Sequence, residues 1–230
     1  MMIEMWTDFA CPFCYIGKRR LEEALKQIEE PIEVVYRSFE LDPDADVQSK
    51  ETIYEKLAKK YGMSIAEARA NTENVEKMAA QVGLNFNFDQ MVVTNTFDAH
   101  RLALYAHKKG LMQEMTDRIL HAHFSEGKHI GDRSTLIQLA TEVGLEQEAV
   151  SALLESKEMT ELVRKDEQQA SEYGIRSVPY FLINQKYAIT GAQPTDVFVQ
   201  SIKQILEQDQ LLTQKQADGE GTCDNDGCSV

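Results

Sequence analysis

The sequence predicts an α/β fold in which one small sheet is built from both ends of the chain, with a long helical segment between. Three observations lead there. The first forty residues read as strand, helix, strand; the stretch from about Glu51 to Tyr173 is helical in pattern almost throughout; and the chain then returns to strand character before a last amphipathic helix.

Residues 2–6 (Met-Ile-Glu-Met-Trp) form a short apolar run that predicts the first strand. From Cys11 to Glu30 the pattern is helical, with Leu21, Leu25 and Ile28 on one face and Pro31 as the stop. Residues 32–39 are β-branched and aromatic, a second strand, and a strand–helix–strand unit of this length implies a parallel pair. Glycines at 62, 83, 110, 131 and 144 punctuate the helical block. A stripe of Met159, Leu162, Val163, Ala170 and Tyr173 ends at Gly174, placed as a C′ glycine. Residues 179–183 and 186–190 then predict an antiparallel hairpin turning at Asn184-Gln185. Phe198, Ile202, Ile205 and Leu206 share one face of a closing helix after Pro194-Thr195-Asp196. Beyond Leu212 the chain is polar and acidic, and a flexible tail is expected there.

Composition narrows the function. The 230 residues are 43% hydrophobic and 27% charged, a globular balance, with a formal net charge of -14. An acidic chain repels phosphate backbones and anionic lipid, so neither nucleic acid nor membrane is an expected partner. The N-terminus leads directly into a core strand without the basic and apolar regions of a secretory leader, so a cytoplasmic location is expected. Four cysteines are too few for a disulfide scaffold, yet all stand in two tight pairs, Cys11/Cys14 and Cys223/Cys228.

Cys11-Pro12-Phe13-Cys14 follows a strand and opens a helix inside a βαβ unit, the context in which C-x-x-C is a redox motif. Unpaired N–H groups and the positive end of the helix dipole favour an anion there, so Cys11 is expected as the attacking thiolate. Pro12 suits the first helical position, where its missing N–H had no partner. Cys14, one turn on, is placed to resolve a mixed disulfide. Phe13 adds no positive charge, so less thiolate stabilisation is expected than a histidine there would give. The competing reading is half of a zinc site completed by Cys223 and Cys228.

The chain resembles the DsbA-like oxidoreductases of thioredoxin fold. Within them it is similar to the FrnE-type branch related to 2-hydroxychromene-2-carboxylate isomerases and kappa-class glutathione transferases. Four stretches carry the resemblance: Asp8 to Gly17; Asn95-Thr96-Phe97-Asp98-Ala99-His100-Arg101; Phe124 to Ile130; and Gly174 to Phe181, followed by Thr190-Gly191-Ala192-Gln193. It implies a thioredoxin-like domain made of residues 1–45 and 166–212, a helical insertion over 46–165, and an acidic tail over 213–230. It also implies that Pro179 is a cis-proline beside the active-site cysteines, shielding Cys11 from metals. The Val178 backbone would then be free to pair with an extended substrate. An ordinary trans proline opening an edge strand is the alternative. Pro12, Phe13, Val178 and Pro179 are the expected substrate-binding residues. The isomerase and transferase relatives carry serine where this chain has Cys11, so the dithiol favours disulfide exchange.

The expected function is therefore thiol–disulfide exchange or isomerisation on protein or peptide disulfides and dithiols. Glutathione or a thioredoxin-type reductant is the expected recycling partner, and neither cofactor nor metal is called for. Two other readings stay open: a glutathione-dependent small-molecule isomerase or transferase, and a non-catalytic holdase with redox-sensing cysteines. Cys223 and Cys228, four residues apart amid Asp224 and Asp226, are an accessory redox pair or a pair without function. Asp8 is a proton acceptor, a capping aid or a plain turn residue. His121 and His123 are two apart on a helix and so unsuited to one metal, with His129 nearby. His100 and Arg101 are expected to organise the groove between lobes.

Overall fold

The computed structural model describes the backbone of residues 1–219 and the side chains of residues 1–209. Strand β1 (Met2–Thr7) runs parallel to β2 (Glu33–Ser38), with Ile3 opposite Val34 and Met5 opposite Tyr36, and α1 (Pro12–Leu25) makes the crossover. On its other side β1 pairs antiparallel with β3 (Tyr180–Ile183), which pairs antiparallel with β4 (Tyr187–Thr190). The order β2-β1-β3-β4 puts the first strand of the chain inside the sheet. Ile3, Met5 and Trp6 are buried, as a strand covered on both faces requires. Glu4 is buried among them because Arg37 on β2 reaches it at 2.9 Å and 2.6 Å.

The hairpin turns as the sequence expects. Asn184 and Gln185 have φ of 49° and 55°, the left-handed pair of a two-residue turn, and the Lys186 N–H returns to the Ile183 carbonyl at 3.0 Å. The Asn184 side chain also accepts from the Met2 N–H at 3.0 Å, which ties the turn to the start of β1.

Seven helices lie between β2 and β3: α2 (Ile53–Tyr61), α3 (Ile65–Ala80), α4 (Phe97–His107), α5 (Met112–Phe124), α6 (Arg133–Val143), α7 (Gln147–Glu155) and α8 (Thr160–Glu172). Several starts are written locally. Thr52 with Glu55 and Ser64 with Glu67 form capping boxes, and Asp132 accepts from the Thr135 N–H at 2.9 Å; such caps contribute about 1 kcal/mol each. The fold is thus α/β, thioredoxin-like, with a helical insertion. Asp166 ties helix α8 to the sheet: its carboxylate accepts from the Ser38 N–H at 3.0 Å, and its carbonyl accepts from the Trp6 indole at 3.0 Å. Helix α9 (Thr195–Gly219) packs on α1 through Phe198, Ile202 and Ile205.

Two elements differ from expectation. Helix α1 ends at Leu25 rather than Glu30, because the chain tightens into turns from Gln27 to Ala24 and from Ile28 to Leu25. Glu30 precedes Pro31, a position biased away from helix. Residues 81–96 interrupt the helical block with irregular backbone. There the alternation Leu84, Phe86, Phe88 turns every second side chain inward, and Phe86 stacks on Phe124 at 4.9 Å. The tail residues beyond 219, with Cys223 and Cys228, lie outside the described residues. Among the described residues no helix is long and apolar enough to cross a membrane.

Candidate functional site

Cys11 is the N-cap of α1, with φ -100° and ψ 110°, and Pro12 opens the helix. No acidic side chain stands in the first turn and no side chain caps it, so the positive end of the helix faces the Cys11 thiol without competition. Cys11 is 5% exposed and Cys14 fully buried, and both are free thiols. Burial pushes the Cys14 thiol well above its ordinary range, and the hydrogen bond and charge of Cys11 push it the same way; Thr7 and the Asp8 backbone oppose only in part. Cys14 is therefore held as a thiol beside Cys11.

The Val178–Pro179 peptide bond is cis, and the Cys11 sulfur donates toward the Val178 carbonyl at 3.6 Å. Helix α1 comes so close to this loop that a Cβ on Gly17 would stand 3.0 Å from Pro179 Cγ and 3.3 Å from the Phe181 ring. That contact explains a glycine inside a helix, where it costs about 1 kcal/mol relative to alanine.

Asp8, a turn residue by sequence, is a buried junction. Its carboxylate accepts from the Leu41 N–H at 2.7 Å, the Thr96 hydroxyl at 2.8 Å and the Ala10 N–H at 3.2 Å, and it faces the His100 ring at 3.4 Å. Its carbonyl accepts from the Cys11 N–H at 3.1 Å. Burial acts to raise the Asp8 pKa, but His100, Leu41 and Thr96 together bring it below the ordinary carboxylate value. The turn carrying Cys11, the loop after β2 and the start of α4 are thereby joined at one carboxylate.

Cys11, Pro12 and Phe13 line a cavity of about 550 Å³, walled by α2, α3 and the loop of residues 88–94. His123 on α5 also lines it, although sequence spacing gave it no role. The ring is 1% exposed. Burial drives its pKa down to about 4, against the Asp8 charge and the Lys128 backbone, which favour the protonated ring.

The remaining candidates are structural. Arg101 is buried and donates to the carbonyls of Leu153, Ser156 and Glu158 at 2.5, 2.6 and 2.9 Å, closing the end of α7. His121 pairs with Glu126 at 2.9 Å at the surface, and His129 bonds the Val47 carbonyl at 2.7 Å. Among the described residues no three His, Cys, Asp or Glu side chains converge as metal ligands.

Comparisons with known proteins agree with this architecture. The family model described as DSBA-like thioredoxin domain matches residues 2–203. Protein YwbO of Bacillus subtilis, itself uncharacterized, is 30% identical over 205 residues, covering 87% of this chain and 94% of its own. The crystal structure of a probable DsbA oxidoreductase from Streptomyces coelicolor superposes with a TM-score of 0.85 at 35% identity, over 100% of this chain and 99% of that one. The cytosolic disulfide reductase DsbM from Pseudomonas aeruginosa, solved with GSH, shares the fold at a TM-score of 0.64 and 19% identity, over 90% of this chain and 100% of its own.

Proposed function

The chain belongs to the DsbA-like thioredoxin-fold oxidoreductases, and from that premise we propose that it exchanges thiols and disulfides on protein substrates through Cys11 and Cys14. The observation that carries this reading is the contact between the Cys11 sulfur and the loop of cis Pro179. The Cys11 thiolate attacks one sulfur of a substrate disulfide, forms a mixed disulfide and expels the other sulfur as a thiolate. Cys14 then loses its proton and attacks Cys11, releasing the second substrate thiolate and leaving the Cys11–Cys14 disulfide. The reverse sequence oxidises a dithiol. Keeping Cys14 protonated until the mixed disulfide forms separates the two steps, because the group that resolves does not compete as the group that attacks.

Val178 and Pro179 position the substrate. No backbone partner takes the Val178 N–H among the described residues, which leaves it free for strand-like pairing with an extended peptide. Pro12 and the exposed Phe13 meet the substrate at the cavity mouth. Glutathione or a thioredoxin-type dithiol returns the pair to the reduced state in a cytoplasmic setting, and Cys223/Cys228 are an accessory pair in that recycling. Insulin reduction and refolding of scrambled ribonuclease test the proposal. Activity is expected from the native chain and none from Cys11→Ser, whereas a Cys11→Ser protein with full activity contradicts it. A Cys223→Ser/Cys228→Ser protein with unchanged recycling removes the accessory role alone.

A further inference from the structure

The cavity beside Cys11 is larger than sulfur exchange alone requires. At about 550 Å³ it falls within the range of small-molecule sites, and much of its wall is apolar and adaptable: Leu57, Met63, Val75, Met78, Phe88 and Met91. Phe13 and Tyr61 continue that lining outward while standing 40% and 61% exposed. An apolar wall left open to water beside a reactive sulfur marks a place that a ligand covers.

The charged part of the lining has a sign of its own. Asp42, Lys56 and Lys60 belong to it, and His123 is neutral at physiological pH because burial holds its pKa at about 4. Asp42 and Lys56 neutralise each other at 2.7 Å. Lys60 makes no ion pair among the described residues, and its ammonium stands 5.8 Å from the centre of the exposed Tyr61 ring. The cavity thus carries a positive balance in a chain whose formal net charge is -14. Asn71 and Asn74, exposed one turn apart on α3, add amide donors to the same lining. Asn71 reaches the sulfur of Met63, close in sequence to Lys60, at 3.4 Å. The buried hydroxyls of Thr72 and Thr94, by contrast, are engaged by the carbonyls of Arg69 and Val47 at 2.8 Å and 3.0 Å.

These features select among the thiols able to exchange with Cys11. A thiol that is polar along its whole length, such as glutathione, sets polar groups against an apolar wall without partners, which costs free energy. A short thiol leaves the wall in water. A thiol on an unbranched apolar chain ending in a carboxylate fills the wall and brings its charge to Lys60, a compact cation on a flexible stem.

We propose that the cavity binds small ω-mercapto acids, with the apolar chain against Leu57, Val75 and Met78 and the carboxylate paired with Lys60. The inference rests on Cys11 and Cys14 being an exchanging pair, and it adds a class of reductant to those that return the pair to the dithiol. One small thiolate attacks Cys11 in the Cys11–Cys14 disulfide, and Cys14 leaves and takes a proton. A second thiolate attacks the small-molecule sulfur of the mixed disulfide, which frees the Cys11 thiolate and releases the symmetrical disulfide. Two small thiols are oxidised and one protein disulfide is reduced. Lys60 is here a specificity-determining residue and takes no part in sulfur transfer.

The test uses the full chain, oxidised beforehand to the Cys11–Cys14 disulfide, and follows the return of both thiols by alkylation and peptide mass mapping. Mercaptoacetate, mercaptohexanoate, mercaptohexanol, aminohexanethiol and glutathione are compared at equal, subsaturating concentration. Each rate is divided by that of the same thiol on hydroxyethyl disulfide, which removes intrinsic reactivity. Mercaptohexanoate is expected to exceed mercaptoacetate by about tenfold or more, since each buried methylene contributes about fourfold. Glutathione should fall with mercaptoacetate. The acid should exceed the alcohol by about threefold, the effect of one exposed ion pair, and the amine should be slower than the alcohol. In Lys60→Gln the acid-to-alcohol ratio should fall to about one, and in Lys60→Arg it should persist. Equal rates for mercaptoacetate and mercaptohexanoate with the native protein overturn the binding of the chain, and that comparison needs no variant. An amine faster than the acid, or a ratio that survives Lys60→Gln, overturns the pairing with Lys60. Reduction by every thiol without discrimination removes the cavity assignment alone, while failure of every thiol to restore Cys11 and Cys14 removes the exchange reading and the cavity with it.

Discussion

The Cys11 sulfur lies 3.6 Å from the main-chain carbonyl of Val178, although the two are 167 residues apart in sequence. They meet because β1, which leads to Cys11, is the sheet neighbour of β3, which begins just after Pro179. The helical insertion separates these strands in the chain without separating them in space. The spacing between α1 and the loop is set from the helix side by Gly17.

Gly17→Ala tests that spacing. On an exposed helix face the change would stabilise by about 1 kcal/mol. Here the new methyl meets Pro179 Cγ at 3.0 Å, so the expected sign is opposite: a loss of about 1–3 kcal/mol from overpacking. Melting temperature should fall by several degrees, and insulin reduction should slow because the displaced loop no longer meets Cys11. A higher melting temperature with full activity would show that the contact relaxes freely.

The raised Cys14 pKa makes the two thiols unequal toward alkylation. Brief iodoacetamide treatment of the reduced protein near neutral pH should label Cys11 and spare Cys14, as read by peptide mass mapping. The same shift has a stability consequence. A thiol whose folded pKa lies above the ordinary 9.0 contributes stability that is present below that pH and lost as pH rises through the folded value. The denaturation midpoint of the reduced protein should therefore fall more steeply above pH 9 than that of Cys14→Ser.

Asp8→Asn should weaken the junction rather than the chemistry of sulfur itself. One amide oxygen cannot replace two carboxylate oxygens that serve Leu41, Thr96 and Ala10, and the amide nitrogen would face a donor. A loss of about 3 kcal/mol is expected for breaking a buried charged contact, measurable by urea denaturation. In the native protein the depressed Asp8 pKa contributes stability above the ordinary 3.8, lost as pH falls through the folded value. Asp8→Asn should remove that part of the acid limb. An unchanged midpoint would show that the network is not stabilising.

His123 acts in a different window. Its pKa is depressed from 6.5 to about 4, so its contribution is complete above pH 6.5 and is lost as pH falls toward 4. The shift corresponds to about 3 kcal/mol of folding free energy across that interval. Denaturation midpoints measured from pH 7 to pH 4 should decline, with His123→Phe giving a flatter curve. Parallel curves for the two proteins would contradict the burial of a neutral ring.

The elements that were legible in the sequence are those written by local rules. The pair Asn184-Gln185 between two short runs rich in aromatic and apolar residues specified the hairpin, and Cys11-Pro12-Phe13-Cys14 after an apolar run specified a strand leading into a helix. Pro179 was readable as a cis-proline only through resemblance, because one proline before an aromatic run fits either isomer. Asp8 as a junction was not legible: its partners Leu41, Thr96 and His100 lie 33, 88 and 92 residues away. His123 was hidden for a related reason, since its burial beside the cavity is a property that only packing reveals. The alternation of Leu84, Phe86 and Phe88 was an available signal for the loop beside the cavity. It was masked by the helical pattern on both sides.

The most direct test of the central claim is a trapping experiment with Cys14→Ser in the full chain. Without its resolving thiol, the protein should accumulate a mixed disulfide with a disulfide-bonded substrate such as insulin, and peptide mapping should place the bond on Cys11. An adduct on Cys223 or Cys228 with Cys11 unmodified, or no adduct under conditions where the native chain reduces insulin, would contradict the assignment of Cys11 as the attacking thiolate.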